Sequence, residues 1–227
     1  MKARTLSIII FGLIFTLANG CGGSGGSPGR YAIPGDVPTA TTTGTGTAIG
    51  TTDPDALLAS AWQDFQYGAY SSAISKFNQV LTLSNVSASQ KADANNGLGW
   101  SNTKSTGLES GYNFFSQAAS SNDEARIGLA SAIIRRGQKS GFTQAVTLLE
   151  QVGLVNTSFR FQSTHSIGVS NAEAHALLAF AYFWRGGVGD QDKARSQIST
   201  ARTEDGSSDS SVAQIYKTLQ DMGLTGI

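Results

Sequence analysis

The chain has 227 residues, with 16 Lys and Arg against 16 Asp and Glu, a formal net charge of zero, one cysteine and two histidines. That balance leaves no basic field for a nucleic-acid backbone, and a single cysteine rules out an intramolecular disulfide framework. Two histidines without a third partner at ligand spacing argue against a metal centre, so no cofactor is expected.

The first twenty residues carry Lys2 and Arg4, then an apolar run from Leu6 to Leu17, then small or polar residues as far as Gly20. This is the layout of a secretory signal, and the run is shorter than the roughly 20 apolar residues a spanning helix needs. Residues Leu17 to Cys21 resemble the lipobox of bacterial lipoproteins, in which a cysteine after a small residue receives a diacylglycerol before the signal is cut. Gly20 and Cys21 fit that pattern, whereas Ala18 and Asn19 depart from its commonest residues. The resemblance implies lipidation at Cys21 and membrane attachment in the cell envelope. Gly22 does not supply the acidic residue associated with inner-membrane retention, so the outer membrane is favoured where the host has two. An ordinary signal with a stray thiol is the alternative.

Residues 22 to 52, GGSGGSPGRYAIPGDVPTATTTGTGTAIGTT, are rich in Gly, Ser, Thr and Pro and nearly free of charge. Such a stretch has little apolar surface to offset the entropy of ordering and reads as a disordered tether. The expected organisation is a signal over 1–20, a lipid-anchored linker over 21–52 and one helical domain over 53–227.

From Asp53 onward apolar residues recur three and four apart, and no run alternates strictly enough for a strand. The stretch ALLASAWQDFQYGAYSSAISKFNQVLTL (56–83) predicts two helices joined at Gly68, the second placing Ala73, Phe77 and Val80 on one face. The same arrangement returns at Gly111, Phe115 and Ala118, at Ala145, Leu149 and Val152, and at Ala194, Ile198 and Ala201. Each set is a small residue, a large apolar one four positions on, and a small or β-branched one after seven. Glycines stand before each, at Gly68, Gly107, Gly141 and Gly189, and a second small residue precedes each set at Ala61, Gly99, Ala132 and Ala181.

These four stretches resemble tetratricopeptide repeats, whose helix pairs stack into a superhelix. The match covers about residues 56 to 203. The intervals between the second-helix small residues are unequal, and the usual closing proline is missing. The resemblance implies an all-α, short right-handed solenoid of about four helix pairs. The amphipathic stretch SSVAQIYKTLQDMG (210–223), stopped by Gly223, is the expected C-terminal cap. GLVNTSFRFQSTHSIGVSN (153–171) is an insertion between the third and fourth pairs. Its Phe159 and Phe161 alternate with polar residues, so it is expected to lie extended along the stack, with Asn171 capping the helix that follows.

Neither His165 nor His175 has an acidic neighbour placed for catalysis along the sequence, and GGVGDQDKA (186–194) lacks what would complete a phosphate or calcium loop. The protein is therefore expected to be noncatalytic. In the family, the position after the first-helix small residue faces a concave groove, which here implies Trp62, Trp100, Ile133 and Tyr182. Phe65 and Thr103 lie about one turn further along, with Asn96 and Lys104 nearby. The implied partner is an envelope protein or peptide segment, captured by apolar and hydrogen-bonding contacts. A self-associating structural protein and, behind it, an enzyme are the alternatives, and the tryptophans have a second reading as packing between helices.

Overall fold

The computed structural model describes residues 53–227, which fold into nine helices with no strand among the described residues. The readings placed on residues 1–52, Cys21 included, lie outside the described residues. None of the described helices is long and apolar enough to cross a membrane.

The helices are α1 (Pro54–Gln66), α2 (Tyr70–Thr82), α3 (Ala88–Thr106), α4 (Leu108–Ala118), α5 (Asp123–Arg136), α6 (Gly141–Gln151), α7 (Asn171–Arg185), α8 (Asp190–Glu204) and α9 (Ser211–Asp221). Every odd-numbered helix begins on a side-chain cap: Asp53, Ser87, Asn122, Ser170 and Ser210 each accept a backbone N–H of the first turn. Ser87 with Gln90 and Ser170 with Glu173 are reciprocal capping boxes. The even-numbered helices have no such cap and start directly from a tight turn. The cap of α7 is Ser170, which displaces Asn171 from the role its sequence position suggests. Asn171 Oδ1 instead accepts the N–H of Phe161 at 2.6 Å.

Each helix packs on the next in the chain, and each odd-numbered helix also packs on the following odd one: α1 on α3, α3 on α5, α5 on α7 and α7 on α9. The repeated sequence positions make these contacts. Phe77, Phe115, Leu149 and Ile198 are all fully buried, as are the alanines at 61, 73, 132, 145, 181 and 194. Burying one such large side chain is worth about 1.5–3 kcal/mol.

Close approach explains two of the glycines. The ring of Phe115 lies between α3 and α5, where a Cβ on Gly99 or Gly128 would fall 2.4 Å and 2.6 Å from its carbons. At the third pair the turn residue is Gly137, which takes the left-handed conformation at the end of α5. Gly141 is the first residue of α6, where a Cβ would meet Ile133 Cγ2 at 2.8 Å.

Between α6 and α7 the chain runs without a helix, and Leu154, Phe161 and Ile167 of this insertion are buried. These side chains seat the insertion on the core. Buried His175 of α7 holds it near Phe159: Nδ1 is 2.5 Å from Gln197 Oε1, and Nε2 is 3.2 Å from the carbonyl of Phe159. Gln197 Nε2 donates to the Leu154 carbonyl at 2.8 Å, which leaves Oε1 as the acceptor for an N–H on His175.

Candidate interaction site

The second part of the insertion, residues 157–169, crosses α1, α3 and α5, and its contacts converge on Glu124. This residue is in the first turn of α5, beside the Asn122 cap, where the N-terminal end of the helix dipole favours an anion. It is 4% exposed. Oε1 accepts the Ser163 hydroxyl at 2.8 Å and the His165 backbone N–H at 2.9 Å. Oε2 accepts Asn96 Nδ2 at 2.7 Å and the His165 ring at 2.8 Å, so Nδ1 carries a proton. Burial pushes the Glu124 carboxyl up, but the His165 hydrogen bonds and charge, with the Ser163 hydroxyl, hold it below the usual carboxylate range.

The imidazole of His165 lies on the indole of Trp62, with ring centroids 3.8 Å apart and planes 8° from parallel. Its Nε2 is 3.8 Å from Asp93 Oδ1, the atom that also accepts Trp62 Nε1–H at 3.1 Å. Burial raises the Asp93 carboxyl above the ordinary range, opposed in part by His165 and by the indole N–H. The ring therefore has carboxylates from α3 and α5 at its two nitrogens and an aromatic face from α1 beneath it. Further along, a Cβ on Gly168 would be 2.9 Å from Lys104 Nζ, so the lysine lies against the strand of chain that follows. Ser166 sits at φ 52, in the left-handed region that a non-glycine residue adopts only when its surroundings hold it there. A cavity of about 350 Å³ opens beside the crossing, lined in part by Asn122, Phe159, Phe161 and His165.

Of the residues implied by the family resemblance, Trp62 and Asn96 take part in this site, Ile133 and Tyr182 make their contacts elsewhere, and the set is not displayed. Trp62, Phe65, Asn96, Trp100, Thr103, Ile133 and Tyr182 are all buried, and Lys104 is partly exposed. An open face of tryptophans is thus corrected to a covered one. Trp62 packs edge-on to Phe65 and Phe77 and under His165, and Trp100 packs edge-on to Phe115. Thr103 Oγ1 would lie 2.6 Å from a Cβ on Gly111, and Ile133 is pressed against Gly141. Tyr182 donates its hydroxyl to Glu150 at 2.7 Å; burial foremost, and then that bond, raises the phenol above its ordinary value.

Asn96, Trp100 and Lys104 stand four apart on α3 and share one face. Asn96 Oδ1 and Trp100 Nε1 are buried without a hydrogen-bond partner among the described residues. Sequence reasoning missed Asp93, Glu124 and Ser163, and with them the two carboxylates at the centre of a face expected to be uncharged. His165 had no acidic neighbour in sequence and gains two from helices that precede it in the chain. No group of three or more His, Cys, Asp or Glu able to hold a metal ion occurs among the described residues. No family model matches the chain, and no curated protein or solved structure is similar enough to it to count as a relative.

Proposed function

We propose that the protein is a lipid-anchored, noncatalytic scaffold of the cell envelope, built as a right-handed solenoid of tetratricopeptide-like pairs, that holds an extended segment of another protein along its odd-numbered helices. The observation that carries this reading is that the face already holds a helix-free segment, residues 157–169, gripped by side chains from α1, α3 and α5. The contacts of each odd helix with the next support the stacked arrangement, because they make a continuous surface from helices separated in sequence. The anchor rests on the lipobox-like residues that end at Cys21 and on the Gly-, Ser-, Thr- and Pro-rich composition of residues 22–52.

The reading is tested by crosslinking in the native envelope followed by mass spectrometry, with palmitate labelling of the wild type and of Cys21→Ser. It expects label in the wild type alone and crosslinks between residues of the odd-helix face and a protein partner. Labelling that is indifferent to Cys21 removes the anchor, and crosslinks confined to a second copy of the chain convert the scaffold into a self-associating structural protein.

A further inference from the structure

The way the insertion is held specifies what else fits its place. At Glu124, three of the four donors come from the insertion and only Asn96 comes from the helices. The side chain between Glu124 and Asp93 has to be flat enough to lie on Trp62 and has to donate from its edge to Glu124, with Asp93 Oδ1 3.8 Å from the other edge. An imidazole and a guanidinium meet both demands, a lysine ammonium is not planar, and a phenyl ring stacks but donates nothing. The present occupant is also imperfect. Ser166 holds a left-handed backbone, a conformation a non-glycine residue keeps only where its surroundings hold it.

We propose that residues 162–169 are a displaceable strap, and that a partner's segment replaces it by seating an apolar side chain where Ile167 is buried and laying an arginine or histidine on Trp62 between Asp93 and Glu124. This rests on the scaffold reading and adds to it the chemistry of the partner and the reason the free protein does not expose its aromatic face. The strap shields Trp62 and occupies the place between the two carboxylates until a segment with a flat, edge-donating side chain arrives.

The test uses the full chain and fluorescein-labelled peptides copying residues 161–169, with histidine, arginine or phenylalanine at the position of His165. Binding is followed by anisotropy, and strap release by amide exchange over 162–169. In Ser163→Ala with His165→Ala, exchange in the strap is expected to rise about tenfold with helicity kept. The histidine and arginine peptides should then bind at least tenfold more tightly than to the wild type, and the phenylalanine peptide about tenfold more weakly than the arginine one. Adding Asp93→Asn should weaken the arginine peptide severalfold. If the double variant loses its helical signal, Ser163→Ala alone, which leaves Glu124 three donors, takes its place.

A released strap with no peptide bound, or equal affinity for the phenylalanine and arginine peptides, overturns the proposal. Envelope partners whose crosslinks fall away from Trp62, Asp93 and Glu124 overturn it as well while leaving the scaffold reading intact. Peptide binding without any envelope partner supports the strap and removes the scaffold.

Discussion

His165 lies flat on Trp62, 3.8 Å between centroids, while its Nδ1 donates to Glu124 at 2.8 Å, so one ring ties the insertion to α1 and α5 together. Glu124 is the more vulnerable partner because it is buried and accepts four hydrogen bonds. In Glu124→Gln the amide nitrogen faces donors on one side, and the charge that His165 pairs with is gone. Unfolding in urea should show a loss of about 2–4 kcal/mol, the range for breaking a buried charged network at one end. A loss within experimental scatter would mean that the strap contributes nothing to stability.

The two carboxylates around His165 are displaced in opposite directions, which separates their effects by pH. Glu124, held below its ordinary value, contributes stability that is present above an unfolded value of about 4.3 and is lost as pH falls through the lower folded value. Asp93, raised chiefly by burial, does the reverse: its charge opposes folding at neutral pH, and that penalty fades as the pH falls through its raised folded value. Denaturation of the wild type, Glu124→Gln and Asp93→Asn at several pH values checks both signs. The Glu124→Gln deficit should hold from pH 7 to 5 and shrink only in stronger acid. Asp93→Asn should be neutral or stabilising at pH 7, with any advantage shrinking on acidification.

Trp62→Ala and Trp100→Ala are expected to destabilise the fold by about 3–5 kcal/mol each, the range for removing a buried aromatic. Both side chains are buried, at 5% and 2% exposure, so neither substitution is a clean probe of partner capture. Circular dichroism during thermal unfolding should show lower midpoints for both. A protein with unchanged stability would restore the exposed-groove reading. Partner binding is better probed through the strap than through the tryptophans.

The helix pairs were legible because each repeats a short local pattern whose small and large residues all turn out to be buried. Ala73 and Phe77 announce a packed face within five residues, and Gly68, at φ 77, announces the turn before it. The site was not legible, because its pairings join positions far apart in the chain: Asp93 and Glu124 read as ordinary acidic positions on helices, and His165 as an isolated loop residue. The insertion was expected to lie extended, and it contains turns at its start, bends at residues 164, 165 and 168 and a left-handed Ser166. Only the fold shows that it crosses the face where Trp62 lies, and that the tryptophan is covered by a residue of the same chain.

The approach of α3 to α5 through Phe115 offers the sharpest test of the repeat packing. A Cβ at Gly128 would come within 2.6 Å of ring carbons that also press on Gly99, so Gly128→Ala has no free direction into which to push the ring. Overpacking of this kind typically costs about 1–3 kcal/mol, although alanine is the better helix former by about 1 kcal/mol at an unstrained position. The net effect should therefore be destabilising in the wild type and should turn favourable when the ring is removed. Phe115→Leu alone should lose stability through lost volume, whereas Phe115→Leu with Gly128→Ala should lose less than the sum of the two single changes. A double-mutant cycle in urea measures the difference, and contact between the two sites predicts a coupling of about 0.5–3 kcal/mol. Additive losses would show that Phe115 does not bridge the two helices, and the small–large–small pattern would then lose its physical explanation.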